Sequence, residues 1–556
     1  MNTHQRIRLA GLALLLTACA SPPPDGLHTT ASGPAGAEAR PVLYDTLGRH
    51  SYKVTTASGD AQRWFDQGLR LVHAFNHHEA QKAFREATRL DPTCAMCFWG
   101  IAMTEGSNYN DPTNAAREHR ALTAARQAAA LAARARPEER ALIDAIARGH
   151  SADPAATRQA LDIAYADAMR DAARRFPDDL EIATFAADAM MLLRPWNLWA
   201  PDGTPHPGTT ELVQTLERVL ARNPDHPGAL HLYIHAVEAG AQPGRGEVAA
   251  DRLSKLMPGA GHIVHMPSHI YWRVGRYTDA VAVNTAAVKA DETYFKTAQP
   301  SPIYLGLYHP HNIDFIWQSA SMQGRSADTL LAARQLATKA PPEMIKQMPD
   351  METVPAVPLV ALLRFGRWDE ALAHPAPPRE WSYTRGVWHY ARGVAFSAKG
   401  QPAEARRELS ELETIRESVP AERTVAFFFR AKNMLQLAAN VLAGKIAAKG
   451  GDFASAERLL RAAVAEQDTH WFTEPPPWYF PVRQALGAVL LQAGRAADAE
   501  QVYRDDLRRN PGNGWSLFGL ARSLRAQGKD AEATQTEAAF RAAWARADVT
   551  LTASRF

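Results

Sequence analysis

Small residues return along this chain at a fixed interval of 34 positions, and that interval constrains the fold more than any other feature. Gly494 and Ala499 are matched by Gly528 and Ala533, and Pro224 is matched by Pro258. From Trp64 onward the intervening sequence is Ala-rich and helix-periodic, broken by short Gly or Pro punctuation, with hardly any alternating β-branched run that could serve as a strand. An all-α fold follows. One helix pair cannot bury its own apolar face, whereas pairs stacked in series bury a continuous core and curve into a superhelix with one concave face.

Trp64, Gly68, Ala80, Phe84, Ala87 and Pro92 form one such unit, and Gly487, Gly494, Ala499, Tyr503 and Pro511 form another. Gly393, Gly400 and Ala405 mark a further unit, as do Gly444, Gly451 and Ala456; Gly275, Arg276, Tyr277, Ala280 and Ala287 continue the register. This pattern resembles the tetratricopeptide repeat family over most of the chain. The resemblance implies a right-handed α-solenoid that takes a protein or peptide partner in its concave groove. Between about 115 and 210 the repeats are degenerate, and 194–207, with Trp196, Trp199 and several prolines, reads as a long ordered loop. The expected divisions are a helical region over 46–210, His-rich repeats over 211–340 and C-terminal repeats over 341–556.

Ahead of the repeats stand Arg6 and Arg8, an apolar run over 9–16, and then Leu16, Thr17, Ala18 and Cys19. Together they read as a secretory signal over 1–18 that ends in a lipobox. The arrangement resembles bacterial lipoproteins, which implies cleavage before Cys19, diacylation of its thiol and attachment to a membrane. Ala20 follows where Asp usually signals inner-membrane retention, so the implied address is the outer membrane, facing the periplasm. Residues 19–45 are rich in Pro, Gly, Ala and Ser, including Pro22, Pro23 and Pro24, the composition of a flexible tether. No other apolar stretch is long enough to span a bilayer.

Lys plus Arg number 62 against 59 Asp plus Glu, so a net charge of +3 gives no electrostatic case for a nucleic-acid partner. The chemistry is local. Seven of the twenty histidines fall between His231 and His311. His231 and His265 are one 34-residue period apart, as are His235 and His269, so the same two slots are filled twice. His231, His235 and Glu238 stand at i, i+4 and i+7, on one face of a helix opening near Pro227. His262 precedes His265 and His269, and Pro267 either kinks that helix or starts it. Alignment through Gly324 and Gly275 sets His311 in the slot of His262 and Asp314 in that of His265, with His309 just upstream. By resemblance to the repeat family these slots face the groove.

Neighbouring helices pack roughly 8 to 10 Å apart, so imidazoles from equivalent slots can converge on one point. Several nitrogens with one or two carboxylates suit a transition metal, Zn or Cu ahead of Fe or Ni, better than Ca or Mg. An anionic or aromatic small molecule, or simple packing, remains open as the alternative use of these histidines. His231 and His235 have the spacing of a zincin helix but lack the glutamate after the first histidine, which excludes that peptidase mechanism. Glu238, Asp314, Tyr271 and Tyr308 could supply acid–base chemistry to a metal-dependent hydrolase or oxidase, without any order among them.

Cys94 and Cys97 open a helix after Pro92 and could form a disulfide, a thiol redox pair or a soft-metal site. His77 and His78 occupy turn slots where packing is expected. Trp471, Phe472 and the proline-rich 474–479 read as a rigid aromatic loop that caps the groove or fills a gap between repeats. The function expected from these features is that of an exported, membrane-anchored interaction scaffold with a His-lined metal or small-ligand site. The alternative is a metalloenzyme on the same solenoid.

Overall fold

The computed structural model describes residues 41–470 and 472–556, so Cys19, its signal and most of the tether lie outside the described residues. Among the described residues, α-helices follow one another from Gly59–His73 to Asp530–Ala543, and the only strands are the short pair Thr424–Val425 and Phe429–Arg430. The fold is the all-α helical-repeat solenoid that the periodicity predicts. No helix among the described residues is long and apolar enough to cross a membrane.

Each unit begins where the sequence offers a cap. Ser58 accepts from Ala61 N ahead of Gly59–His73, Asn76 from Glu79 N ahead of His77–Leu90, and Asn513 from Ser516 N ahead of Gly514–Ala526. The turns between paired helices use left-handed glycines one period apart, Gly494 at φ 75° and Gly528 at φ 70°. Close packing follows from the other small residues. A Cβ placed on Gly68 or Gly100 would stand 2.6 or 2.4 Å from the Phe84 ring, and the Tyr503 ring is gripped the same way by Gly487 and Gly519. In both units one buried ring fills the space between three successive helices.

One apolar core runs from Leu47 to Tyr308 and a second from Val288 to Ala533. The superhelix then returns on itself. Trp515 Nε1 donates to Ser321 O at 2.8 Å, and Asp548 accepts from Ser326 N and Ala327 N at 2.6 and 2.9 Å. This return carries the loop after Phe453–Thr469 back over the central repeats. The degenerate stretch is helical too, with Ala115–Leu131, Pro137–Arg148, Arg158–Arg175 and Leu180–Met191. The 194–207 loop is pinned to the central repeats by Trp199 Nε1, which donates to Ala236 O at 2.8 Å.

Asp188, on Leu180–Met191, has a buried carboxyl whose Oδ1 lacks a hydrogen-bond partner, and burial lifts its pKa to about 7. A carboxyl raised above its unfolded value near 3.8 withdraws stability as pH rises from there to about 7, and the loss is complete above that. Asp188→Asn is therefore expected to be more stable than wild type by ~4 kcal/mol at pH 8. The two should coincide near pH 3.5 in urea unfolding followed by circular dichroism. A variant that gains nothing at pH 8 would show that Asp188 is solvated.

Candidate metal centre

All 12 residues of Pro227–Glu238 are buried, and Pro227 sits at the first helical position while His226 caps the helix through Ala229 N. His231 and His235 are 0 and 1% exposed, and Glu238 is 1% exposed. The next repeat resolves the question raised by Pro267. Gly261–His265 and Pro267–Val274 are two helices joined at Met266, which keeps helical dihedrals. His269 N reaches back only to Met266 O, at 3.2 Å. The helix is thus broken at a single residue without reversing direction, and His262, His265 and His269 stay together, all buried. His309–Met322, preceded by a π-helical turn over Tyr304–Tyr308, brings in the half-buried His311.

What distinguishes these histidines is the partner each has on its Nδ1. His231 Nδ1 lies 2.6 Å from His73 O, a carbonyl that can only accept. Close packing sets this contact: a Cβ on Gly228 would stand 2.3 Å from the His73 ring. His235 Nδ1 lies 2.8 Å from Glu238 Oε1, and His269 Nδ1 lies 2.5 Å from Glu238 Oε2. His265 Nδ1 lies 2.6 Å from Asn284 Oδ1, whose identity as the oxygen follows because Asn284 Nδ2 donates to Ala280 O at 2.7 Å. His231, His235 and His265 therefore carry their hydrogen on Nδ1 and, when neutral, present a lone pair on Nε2.

For His231 and His235 that lone pair has no partner in the protein. His231 Nε2, His235 Nε2 and both ring nitrogens of His262 are buried without a hydrogen-bond partner. His265 Nε2 and His269 Nε2 face one another at 2.7 Å, within hydrogen-bond distance. The potential ligand atoms of His231, His235 and His262 all lie within 4.8 Å of one another, as do those of His265, His269 and His311. Buried polar atoms are almost always satisfied by protein, water or an ion, so four unpaired imidazole nitrogens in one place mark this as the candidate site.

Aromatic rings hold the imidazoles in place. Phe75 packs on His231 at 4.3 Å between centroids, Tyr109 on His235 at 4.9 Å, Tyr308 on His262 at 4.6 Å, and Phe315 stacks on His269 at 5.4 Å. Burial drives the pKa values of His231, His262 and His265 well below the ordinary range, and that of His311 down to about 3. These rings are kept in the unprotonated form that a metal requires. Burial alone would raise Glu238, but His269, a hydrogen bond with Glu474 and His235 outweigh it and hold its carboxyl well below the usual range. Glu474 goes the other way, pushed well above that range by burial and then by the charge of Glu238. The two carboxyls lie together, with His269 Nδ1 against both.

Several expectations change. The groove at these repeats is closed rather than open, because Phe75, Tyr109 and Trp196 pack over the histidines and leave no room there for a peptide. Glu238 places its two oxygens on imidazole Nδ1 atoms and orients those rings, and it also stands with His235, His269 and Glu474 in a group whose potential ligand atoms lie within 4.8 Å of one another. His309 stands apart, its Nδ1 3.3 Å from Asp291 Oδ2, because it lies on the far side of its helix from His311. Asp314 fills the aligned slot, but its carboxylate bends along its own helix to accept from Trp317 Nε1 at 2.5 Å. Cys94 and Cys97 are joined in a buried disulfide at the opening of Ala95–Glu105.

Glu474 was missed as a site residue, since the loop that carries it enters the cluster only through the return of the superhelix. A second histidine cluster was also missed. His73 Nε2, His50 Nε2 and His226 Nε2 lie 2.6, 2.9 and 3.3 Å from the carboxylate of Glu181. His226 Nδ1 accepts from Ala229 N at 3.2 Å, which puts its hydrogen on Nε2, facing inward. Here hydrogens converge on a carboxylate, the opposite of the arrangement around His231. Burial alone would raise Glu181, but His73, His226 and His50 together hold it well below the ordinary carboxylate range. This cluster ties the segment before the first helix to the repeats.

No protein-family model and no curated protein sequence matches the chain. Among solved structures, a human IFIT1 dimer with m7Gppp-AAAA is 12% identical, covering 88% of this chain and 91% of that one with a TM-score of 0.32. The yeast Tom70 crystal structure is 11% identical, covering 86% and 99%, with a TM-score of 0.27. Superpositions this loose carry no argument about function.

Proposed function

We propose that this protein is an exported, membrane-anchored helical-repeat scaffold whose central repeats bind a transition metal through buried histidines. The observation that carries the reading is that His231 and His235 have Nδ1 held by an acceptor and a buried Nε2 without a partner, beside His262 with neither ring nitrogen paired. Metal-binding imidazoles are oriented in this way by carboxylates and backbone carbonyls. An all-imidazole donor set without thiolate favours Zn or Cu over Fe or Ni, and it offers hard oxygen-seeking ions little. Anchoring rests on the lipobox at Cys19, and the outer membrane, periplasmic side, is the address it implies. A protein partner falls to the surfaces of the solenoid that the aromatic rings around the histidines leave open.

Protein purified without a polyhistidine tag and incubated with Zn(II) or Cu(II) is expected to retain at least one ion per chain after gel filtration, read by elemental analysis. The double variant His231→Ala/His265→Ala should keep its helical circular dichroism and lose the ion. Failure of the wild-type chain to retain either metal would overturn the reading.

A further inference from the structure

Six imidazoles are more than one tetrahedral or trigonal ion can use, and their arrangement divides them. His231 and His235 come from one helix and are joined by His262 from the next, their potential ligand atoms within 4.8 Å of each other. His265 and His269 sit further along the chain of that second repeat and are joined by His311 from the third, again within 4.8 Å. The six do not form one group at that distance. Each set of three contains one histidine supplied by a neighbouring repeat, added to a pair that recurs after 34 residues, His231 and His235 in one set and His265 and His269 in the other.

We propose that the centre holds two transition-metal ions, one on His231, His235 and His262 and the other on His265, His269 and His311. The proposal rests on the metal-binding reading above and deepens it. Glu238 is the link between the sets: its Oε1 meets His235 Nδ1 at 2.8 Å and its Oε2 meets His269 Nδ1 at 2.5 Å, so one carboxylate orients a ligand of each ion. Its negative charge lies behind both sets, where it offsets part of the repulsion between two buried cations. Three imidazoles leave a tetrahedral ion one further position, so each ion can take an exogenous ligand. The half-buried His311 puts the second set nearer to solvent.

The test is stoichiometry on the untagged full chain. Titration with Co(II), followed by its visible absorbance, is expected to break at two equivalents, and elemental analysis after Zn(II) loading and gel filtration should return two ions per chain. His262→Ala and His311→Ala, each in its own set, should each return one. His262→Gln and His311→Gln serve where an alanine variant loses its helical circular dichroism. A break at one equivalent, with both single variants abolishing binding, would overturn the two-ion arrangement and leave a single shared site standing. Absence of any bound metal would overturn the metal reading itself.

Discussion

Removal of the metal with a chelator is expected to lower the stability of the central repeats by about 4 kcal/mol for each ion bound, relative to protein held at a thousandfold excess of free ion over its dissociation constant. Binding to the folded chain alone adds stability by mass action, and the unfolded chain has no arrangement of His231, His235, His262, His265, His269 and His311 to compete for the ion. The apo state also keeps buried ring nitrogens without partners at His231, His235 and His262, and an unsatisfied buried polar group costs roughly 1–3 kcal/mol. The change should be local. Amide exchange should accelerate in Pro227–Glu238, Gly261–His265 and Pro267–Val274 on chelation, while Pro402–Ser418, which packs between Ser382–Ala398 and Ala431–Lys449, should be unmoved. The double variant His231→Ala/His265→Ala provides the control, since a chelator should no longer affect it. Identical exchange with and without chelator in the wild-type chain would show that these nitrogens are structural.

The parts of this centre that recur with the helix period were legible in the sequence, and the parts that depend on how the superhelix closes were not. His231 and His265, and likewise His235 and His269, stand in equivalent slots, and equivalent slots in stacked repeats face the same interior. The slot rule fails at Asp314, where position is right but a short carboxylate finds Trp317 Nε1 on its own helix. Repeat spacing fixes where a Cα lies, and the nearest donor decides where the side chain points. Glu474 could not be paired with His269 from the sequence, because nothing local brings a loop of the C-terminal repeats to the central ones. The same holds for His50, which lies in an irregular segment before the first helix and meets Glu181 without any periodic signal. The closed groove has a similar origin. Phe75 and Trp196 both have positive φ, at 52° and 61°, in turns whose direction the helix pattern does not encode.

The repeat core offers the sharpest energetic test of the fold itself. Phe84→Ala is expected to destabilise the N-terminal repeats by about 3–5 kcal/mol, because a fully buried ring leaves a cavity that three helices cannot close. Gly100→Ala places a methyl 2.4 Å from that fully buried ring, and such overpacking costs about 1–3 kcal/mol. The two effects share one volume, so they should not add. In the Phe84→Ala background the Gly100 methyl enters the vacated space, and Gly100→Ala should then be neutral or stabilising, giving a coupling of 1 kcal/mol or more by urea unfolding. Gly68→Ala, whose methyl would stand 2.6 Å from the same ring, should behave in parallel. Additive costs would mean that the glycines serve the helix backbones and not the ring. Coupling would place the 34-residue recurrence in physical terms: an aromatic residue on the second helix of one unit needs a glycine on the first helix of its own unit and another on the first helix of the next. Tyr503, between Gly487 and Gly519, meets the same requirement at the other end of the solenoid.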